Sequence, residues 1–313
     1  YDWSFPEEEL CFTPGIIPAL YQLTETLCNK DEKVLMNTPA YGYFLHSAEY
    51  AGVDVLQSPL KKKPDGTFEL DYENFEQQCA NPQCKMVFWC NPQNPTGRMW
   101  TEEELRRIAG IVEKYNLWIV SDEIHCDLIR CGRKHIPMAK VMTNYPKLIT
   151  CMAPSKTFNL AGLAFSNIII RDPVLRERFK ERDKLFGMVN PMSLTAAKAA
   201  YDKGGAWHEE LKQYLDANFA FVKDFFDKNL PDAVMYIPEA TYLAWVDLSK
   251  CLPDVEDLPD FFANKAGVLL EGGNGLFVGN AAGYIRLNLA MPRSILKTGL
   301  ERMRDTINAH NKH

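Results

Sequence analysis

The chain of 313 residues is 46% hydrophobic, enough material for a large core and for two lobes. A net charge of -6 argues against nucleic acid or an anionic membrane as the main partner, and no apolar run is long enough to span a bilayer. The nine cysteines include no CxxC pair and no matching His/Cys set, so no metal site is expected, and scattered thiols with no signal peptide fit a cytoplasmic protein.

In chain order, Thr13–Leu20 reads as a turn at Pro14-Gly15 that opens a helix running to about Cys28. The backbone N–H groups of Ile16 and Ile17 at such a helix start either meet a phosphate or belong to a plain cap. A strand is expected at Lys33–Met36, leading into Asn37-Thr38-Pro39-Ala40-Tyr41, and another at Val53–Ser58. A polar turn at Lys61–Gly66 precedes a short helix from Asp71. Met86–Cys90 is an apolar run of buried-strand type that ends in Asn91-Pro92-Gln93-Asn94-Pro95-Thr96-Gly97. Thr101-Glu102-Glu103-Glu104 has the capping-box pattern and opens a helix to Tyr115. Leu117–Ser121 is a further buried strand with Asp122-Glu123 at its carboxyl end. Lys147–Cys151 is another, followed by Ala153-Pro154-Ser155-Lys156.

After strand-like Phe165–Ile170 the pattern changes to long amphipathic helices at Pro173–Phe186, Ser193–Lys203 and Trp207–Asn229. Strands at Val234–Ile237, Thr241–Asp247, Val268–Leu270 and Tyr284–Leu289, with helices at Leu258–Lys265 and Ser294–His310, complete a smaller α+β lobe. The expected division is 1–206 and 207–313, with the helix from Trp207 bridging the two. Strand–helix alternation in the first part implies an α/β architecture, a mostly parallel sheet covered by helices on both faces. Ligands of such sheets collect at the carboxyl ends of the strands, where Asn94, Asp122 and Lys156 all fall.

A lysine at the end of a buried strand is costly unless its amine is neutralised or used covalently. Taken alone, Ser155-Lys156 fits an ordinary loop lysine as well. The ordered set Tyr41, Asn94, Asp122, Lys156 and Arg286 carries more, because it resembles the fold-type I pyridoxal-phosphate (PLP) enzymes of the aminotransferase class I/II family. Within that family, Asn91-Pro92-Gln93-Asn94-Pro95-Thr96-Gly97-Arg98, Ser121-Asp122-Glu123-Ile124-His125, Ser155-Lys156-Thr157-Phe158-Asn159 and Arg286-Leu287-Asn288 with Pro292-Arg293 resemble the MalY/PatB subgroup of cystathionine and cysteine-S-conjugate β-lyases. The resemblance covers nearly the whole chain. It implies a seven-stranded-type sheet sandwiched by helices, a homodimer, a small amino-acid substrate and PLP as cofactor.

It also implies roles for residues. Lys156 is the Schiff-base lysine and then the general base and acid on the substrate α-proton. Asp122 pairs with the pyridine nitrogen, keeping the ring an electron sink. Asn94 donates to the ring 3-oxygen, and His125 sits close to the same oxygen. Tyr41 stacks on the ring and Ile124 lies under its other face, although plain packing explains either residue equally well. Arg286 binds the substrate carboxylate with a bidentate fork. Glu123 is assigned a solvent-facing strand end or a partner for a nearby cation, and Arg293 a helix-capping position. The bonds Thr38–Pro39 and Asn94–Pro95 are expected to be cis. Two positions depart from the wider family: Ala164 replaces a phosphate-binding arginine and Ala153 a hydroxyl residue. The phosphate is therefore expected on the N–H groups of Ile16 and Ile17 and on Ser155. By the same resemblance this chain is expected to lack the family's first several dozen residues, the region from which a partner subunit in relatives gives a tyrosine to the phosphate. The same electron-sink groups serve transamination, so an amino acid aminotransferase is the alternative to the lyase.

Overall fold

The computed structural model describes residues 1–186 and 189–312. Its main sheet has seven strands, built from β1 (Leu10–Thr13), β2 (Lys33–Thr38), β4 (Asp54–Pro59), β7 (Cys84–Cys90), β8 (Trp118–Asp122), β9 (Leu148–Met152) and β10 (Ser166–Ile170). The spatial order is β1-β10-β9-β8-β7-β2-β4; β9, β8, β7, β2 and β4 run parallel, while β10 is antiparallel to both of its neighbours. The inner parallel strands β7, β8 and β9 read as apolar runs because both faces are covered. In β7, Met86, Phe88 and Cys90 enter one core, where Phe44 stacks on Phe88 at 4.8 Å and Leu20, Leu23 and Phe179 pack nearby. Val87 and Trp89 enter the other, against Phe75, Trp100, Leu105 and Ile108. Each such side chain withdrawn from water contributes about 1.5–3 kcal/mol, which fixes the register of the central strands.

Two short pairs join the lobes and the periphery: β3 (Ala40–Tyr41), and a hairpin of β5 (Lys61–Lys62) with β6 (Phe68–Glu69) where a plain polar turn was expected. The second sheet holds β11 (Val234–Met235), β12 (Leu243–Asp247), β13 (Glu271–Gly272) and β15 (Tyr284–Asn288), all antiparallel, in the order β11-β12-β15-β13. Finally β14 (Phe277–Val278) pairs with β3, Phe277 opposite Tyr41, and so ties the second sheet to the end of the first. A core of Phe219, Phe226, Phe262, Ile285, Leu300 and Met303 lies between the second sheet and its helices Gly205–Asn229, Leu258–Ala266 and Arg293–His310. The 25-residue helix Gly205–Asn229 reaches both parts: Asp216 accepts a 2.8 Å hydrogen bond from Arg130, and Asn218 donates to the Leu289 carbonyl at 2.8 Å.

Several elements differ from the expectation. The strand predicted at Val268–Leu270 lies instead at Glu271–Gly272, because the ladder with β15 forms only there: Glu271 faces Arg286 and Gly272 faces Ile285. A side chain at Gly272 would meet the Tyr284 carbonyl oxygen at 2.4 Å, so glycine is what lets this strand close on β15. The four-residue strand β1, which ends two residues before the helix Ile16–Leu27, was not foreseen; its short Leu-Cys-Phe-Thr run carries no clear alternation. The Thr101 capping box is present, with Glu104 N–H on Thr101 Oγ1 at 3.2 Å and Thr101 N–H on the Glu104 carboxylate at 2.9 Å.

Candidate active site

A cavity of about 960 Å³ opens at the carboxyl ends of β2, β7, β8 and β9 and is closed on the far side by β15, the approach to β13 and the helix Arg293–His310. Every residue singled out in the sequence, Ile16, Ile17, Tyr41, Asn94, Asp122, Ile124, His125, Ser155, Lys156 and Arg286, lines it. These positions span most of the chain, and the sheet topology is what gathers them.

Asp122 ends β8, opposite Cys90 of β7 and Cys151 of β9, and is 6% exposed. Its Oδ1 accepts the Ile124 N–H at 3.1 Å. Burial pushes its carboxyl up to about 6; the Ile124 N–H and the charge of Lys156 oppose that rise. Lys156 lies on a single helical turn, Pro154–Thr157, directly after β9. That turn is held by the Phe158 N–H on the Pro154 carbonyl at 2.9 Å and by Thr157 Oγ1, which donates to Asp127 Oδ2 at 3.0 Å. Among the described residues Lys156 has no hydrogen-bond or ion-pair partner, so its amine is available to the cavity.

His125 is 2% exposed, its Nδ1 has no hydrogen-bond partner among the described residues, and its ring meets Tyr242 edge-on at 6.0 Å. Burial first, and then the charges of Lys156 and Arg286, push it down to about 3, so the imidazole is neutral at physiological pH. Tyr41 is half-buried, with burial raising its hydroxyl to about 12; Ile124 is half-buried as well. Asn94 is held in the turn after β7, where its N–H reaches the Cys90 sulfur at 3.4 Å. The peptide bonds Thr38–Pro39 and Asn94–Pro95 are cis, and Asn91–Pro92, for which no expectation was made, is cis too.

Arg286, from β15, faces this group across the cavity. Its Nη1 donates to Asn94 Oδ1 at 2.8 Å and its Nε to Glu271 Oε2 at 2.9 Å, with Nη2 on the same carboxylate oxygen. The guanidinium also lies 4.9 Å from the Phe277 ring centroid and 6.0 Å from that of Tyr41. Two neighbours of the motif residues take structural places. Glu123 is fully buried, which overturns a solvent-facing reading: its carboxylate meets His135 Nε2 at 2.6 Å and accepts from Ser121 Oγ at 2.8 Å and the Met138 N–H at 2.9 Å. Arg293 opens the last helix, with its N–H on the Tyr214 hydroxyl at 3.0 Å and its Nε on Asn218 Oδ1 at 3.0 Å.

The other end of the cavity suits an anion. The helix Ile16–Leu27 begins there with no side-chain cap on its first N–H groups, and Gly15 stands at φ 152°, a conformation other residues rarely adopt. Ser155 and Ser166 line the same cavity, and the buried Ser166 Oγ has no hydrogen-bond partner among the described residues. Ala164, where the wider family's arginine is missing, lies beside them. The donor set thus fits a phosphorylated pyridine: hydroxyls and N–H groups at one end, and at the other a buried carboxylate that a protonated ring nitrogen would neutralise. Ser166, Tyr242 and Glu271 were missed in the sequence. Ser166 sits two residues after Ala164 at the start of β10, a place where a compensating hydroxyl could have been sought. Tyr242 and Glu271 carry no local signal.

The family model for "Aminotransferase class I and II" matches residues 2–303. Cystathionine beta-lyase PatB of Bacillus subtilis is 35% identical over 308 residues, covering 97% of this chain and 79% of the relative. Protein MalY of Escherichia coli is 32% identical, covering 98% and 78%. Among solved structures, the PLP-bound C-S lyase from Staphylococcus hominis superposes with a TM-score of 0.94 at 42% identity, covering 98% of this chain and 78% of that one. Cystalysin from Treponema denticola, whose crystal structure contains pyridoxal 5'-phosphate, has a TM-score of 0.94 at 32% identity, covering 99% and 79%.

Proposed function

Since the chain belongs to the aminotransferase class I and II family, we propose that it is a PLP-dependent carbon–sulfur β-lyase, cleaving cystathionine or cysteine S-conjugates to pyruvate, ammonia and a thiol. The observation that carries this reading is the meeting of Lys156, the buried carboxylate of Asp122 and the Arg286 guanidinium around one cavity. Choice of the lyase over transamination rests on the similarity to PatB, MalY and the C-S lyase structures.

In this reading Lys156 would hold the cofactor covalently through Nζ, Asp122 would face its ring nitrogen, and Asn94 and His125 its 3-oxygen side. Tyr41 and Ile124 would lie on opposite ring faces. Ile16 and Ile17 through their N–H groups, with Ser155 and Ser166, would take the phosphate. PLP, when bound, supplies an electron sink that stabilises the carbanion formed when the α-proton leaves. The residues do the rest. Arg286 orients the substrate by its α-carboxylate, so that the Cα–H bond faces Lys156. Nζ of Lys156 would take the α-proton, the electron pair left at Cα would become the Cα–Cβ double bond as the Cβ–S pair leaves with sulfur, and the proton passed on to that thiolate would complete the thiol. Water then releases ammonia and pyruvate from the remaining three-carbon fragment. The neutral imidazole of His125 can donate or accept a hydrogen bond without adding a charge that would compete with Asp122.

The same reading assigns residues 1–206 to a cofactor-binding lobe and 207–313 to a smaller lobe bearing Arg286. It includes a homodimer, supported by the exposed apolar side chains Leu269 and Ile295 at the cavity rim, and a cytoplasmic site, supported by the buried free thiols Cys79, Cys84, Cys90, Cys126, Cys151 and Cys251. Equilibrium sedimentation of the loaded protein at a mass of one chain would overturn the dimer. For the function, pyruvate is expected from cystathionine with no keto-acid acceptor added; product that forms only with an acceptor would sink the lyase reading. Borohydride reduction of the PLP-loaded protein followed by peptide mapping is expected to place the adduct on Lys156.

A further inference from the structure

Arg286 is the cavity-lining guanidinium that faces Asp122 and Lys156 from β15, yet its fork is already occupied. Glu271 sits directly opposite Arg286 in the antiparallel β13–β15 pair, and the ladder holds the two Cα positions in register. Its Oε2 receives both Nε and Nη2, while Asn94 takes Nη1 from the other side. The two partners differ in environment: the Arg286 side chain is 7% exposed and that of Glu271 51% exposed. Glu271 therefore lies on the solvent side of the pair, on an edge strand of only two residues, and lines the cavity itself.

We propose that Glu271 is an internal occupant of the substrate-carboxylate clamp, which an entering amino acid must displace. The inference rests on Arg286 being the carboxylate site. A guanidinium as buried as this one, left without a counter-charge, would be costly in the empty site, and Glu271 supplies that charge from within the chain. A substrate carboxylate offers the same two oxygens to the same fork, so the two compete. Competition lowers apparent affinity by the fraction of molecules in which the fork is free. A half-exposed carboxylate holds the fork only moderately, which makes displacement by substrate feasible. Glu271 thus sets KM rather than the chemical step, since it leaves before the α-proton moves.

The test uses glycine, which carries the carboxylate but no β-leaving group, and ethanolamine, which carries only the amine. Both are titrated into the PLP-loaded enzyme and followed by cofactor absorbance. Glu271→Gln is expected to tighten glycine roughly fivefold to tenfold and to leave ethanolamine unchanged. With a cysteine S-conjugate as substrate, KM should fall by a similar factor at constant kcat. Glycine binding that is unchanged or weaker in Glu271→Gln, or an equal shift for both ligands, overturns the proposal; Glu271→Ala is the second variant should the first fold poorly. Arg286→Gln separates this from the parent reading: if it leaves glycine binding intact, Arg286 is not the clamp and the parent reading fails first.

Discussion

Asp122 and His125, on the sheet-end wall of the cavity, are buried with no ion-pair partner among the described residues, whereas Arg286, on the opposite wall, is buried with its charge already met by Glu271 and Asn94. On the first wall the parallel strands and their tight turns fix the groups in place, and the energetic cost of their burial is borne by the two large cores beneath. On the second wall the groups stand on a small antiparallel sheet whose outer strand is two residues long. On the proposed reading, the contrast separates groups that would meet the cofactor from a group that the chain would share with its substrate.

The largest break in this contrast is expected from Lys156→Ala. Removing the proposed covalent anchor and proton carrier should lower pyruvate formation by more than about 10³-fold. Retention of even a tenth of wild-type activity would show that another group moves the proton. Asp122→Asn keeps the shape of the sheet-end wall but removes its charge, and is expected to lower kcat on the order of 10²-fold. On the opposite wall the effect should fall on binding instead. Arg286→Lys keeps a charge but loses the fork, and KM is expected to rise about tenfold or more with a smaller change in kcat. If Asp122→Asn altered only KM and Arg286→Lys only kcat, the division of labour between the walls would be reversed.

How much of this was legible in the sequence differs between the walls for the same physical reason. Asn94, Asp122 and Lys156 each follow an apolar run read as a buried strand, and a parallel sheet brings all strand ends to one edge, so local pattern and topology agreed. Arg286 was found through its motif. Its partner was not, because Glu271 lies in a stretch whose strand was expected at Val268–Leu270, and a register displaced along a short edge strand leaves no apolar alternation to detect. The solvent-facing alternative for Glu123 failed for a related reason, while its other reading, a partner for a neighbouring side chain, agrees with the His135 contact. A carboxylate one residue beyond a strand looks solvated in sequence, and only the fold brings His135, twelve positions on, against it.

The smallest signal is expected from the sheet-end wall of the cofactor-free wild type, because two opposite titrations overlap there. Asp122 has its carboxyl raised to about 6, so the folded state holds its proton more tightly than the unfolded chain. Its contribution is present in acid and is lost as pH rises through about 6. His125 has its imidazole lowered to about 3, so the unfolded chain holds that proton more tightly. Its contribution is present above the ordinary histidine value of 6.5 and is lost as pH falls toward about 3. Between about pH 4 and about pH 6 the two slopes oppose each other, and each alone is on the order of 1–3 kcal/mol. Relative to wild type, Asp122→Asn should therefore gain stability more steeply with rising pH, and His125→Gln should gain less or lose. Titratable groups elsewhere are common to all three proteins and cancel in the differences. Denaturant unfolding of the three across this range checks the signs; parallel profiles would mean that neither group is buried as described. Adding PLP should remove the Asp122 slope selectively, since a protonated ring nitrogen beside that carboxylate returns it toward the ionised form.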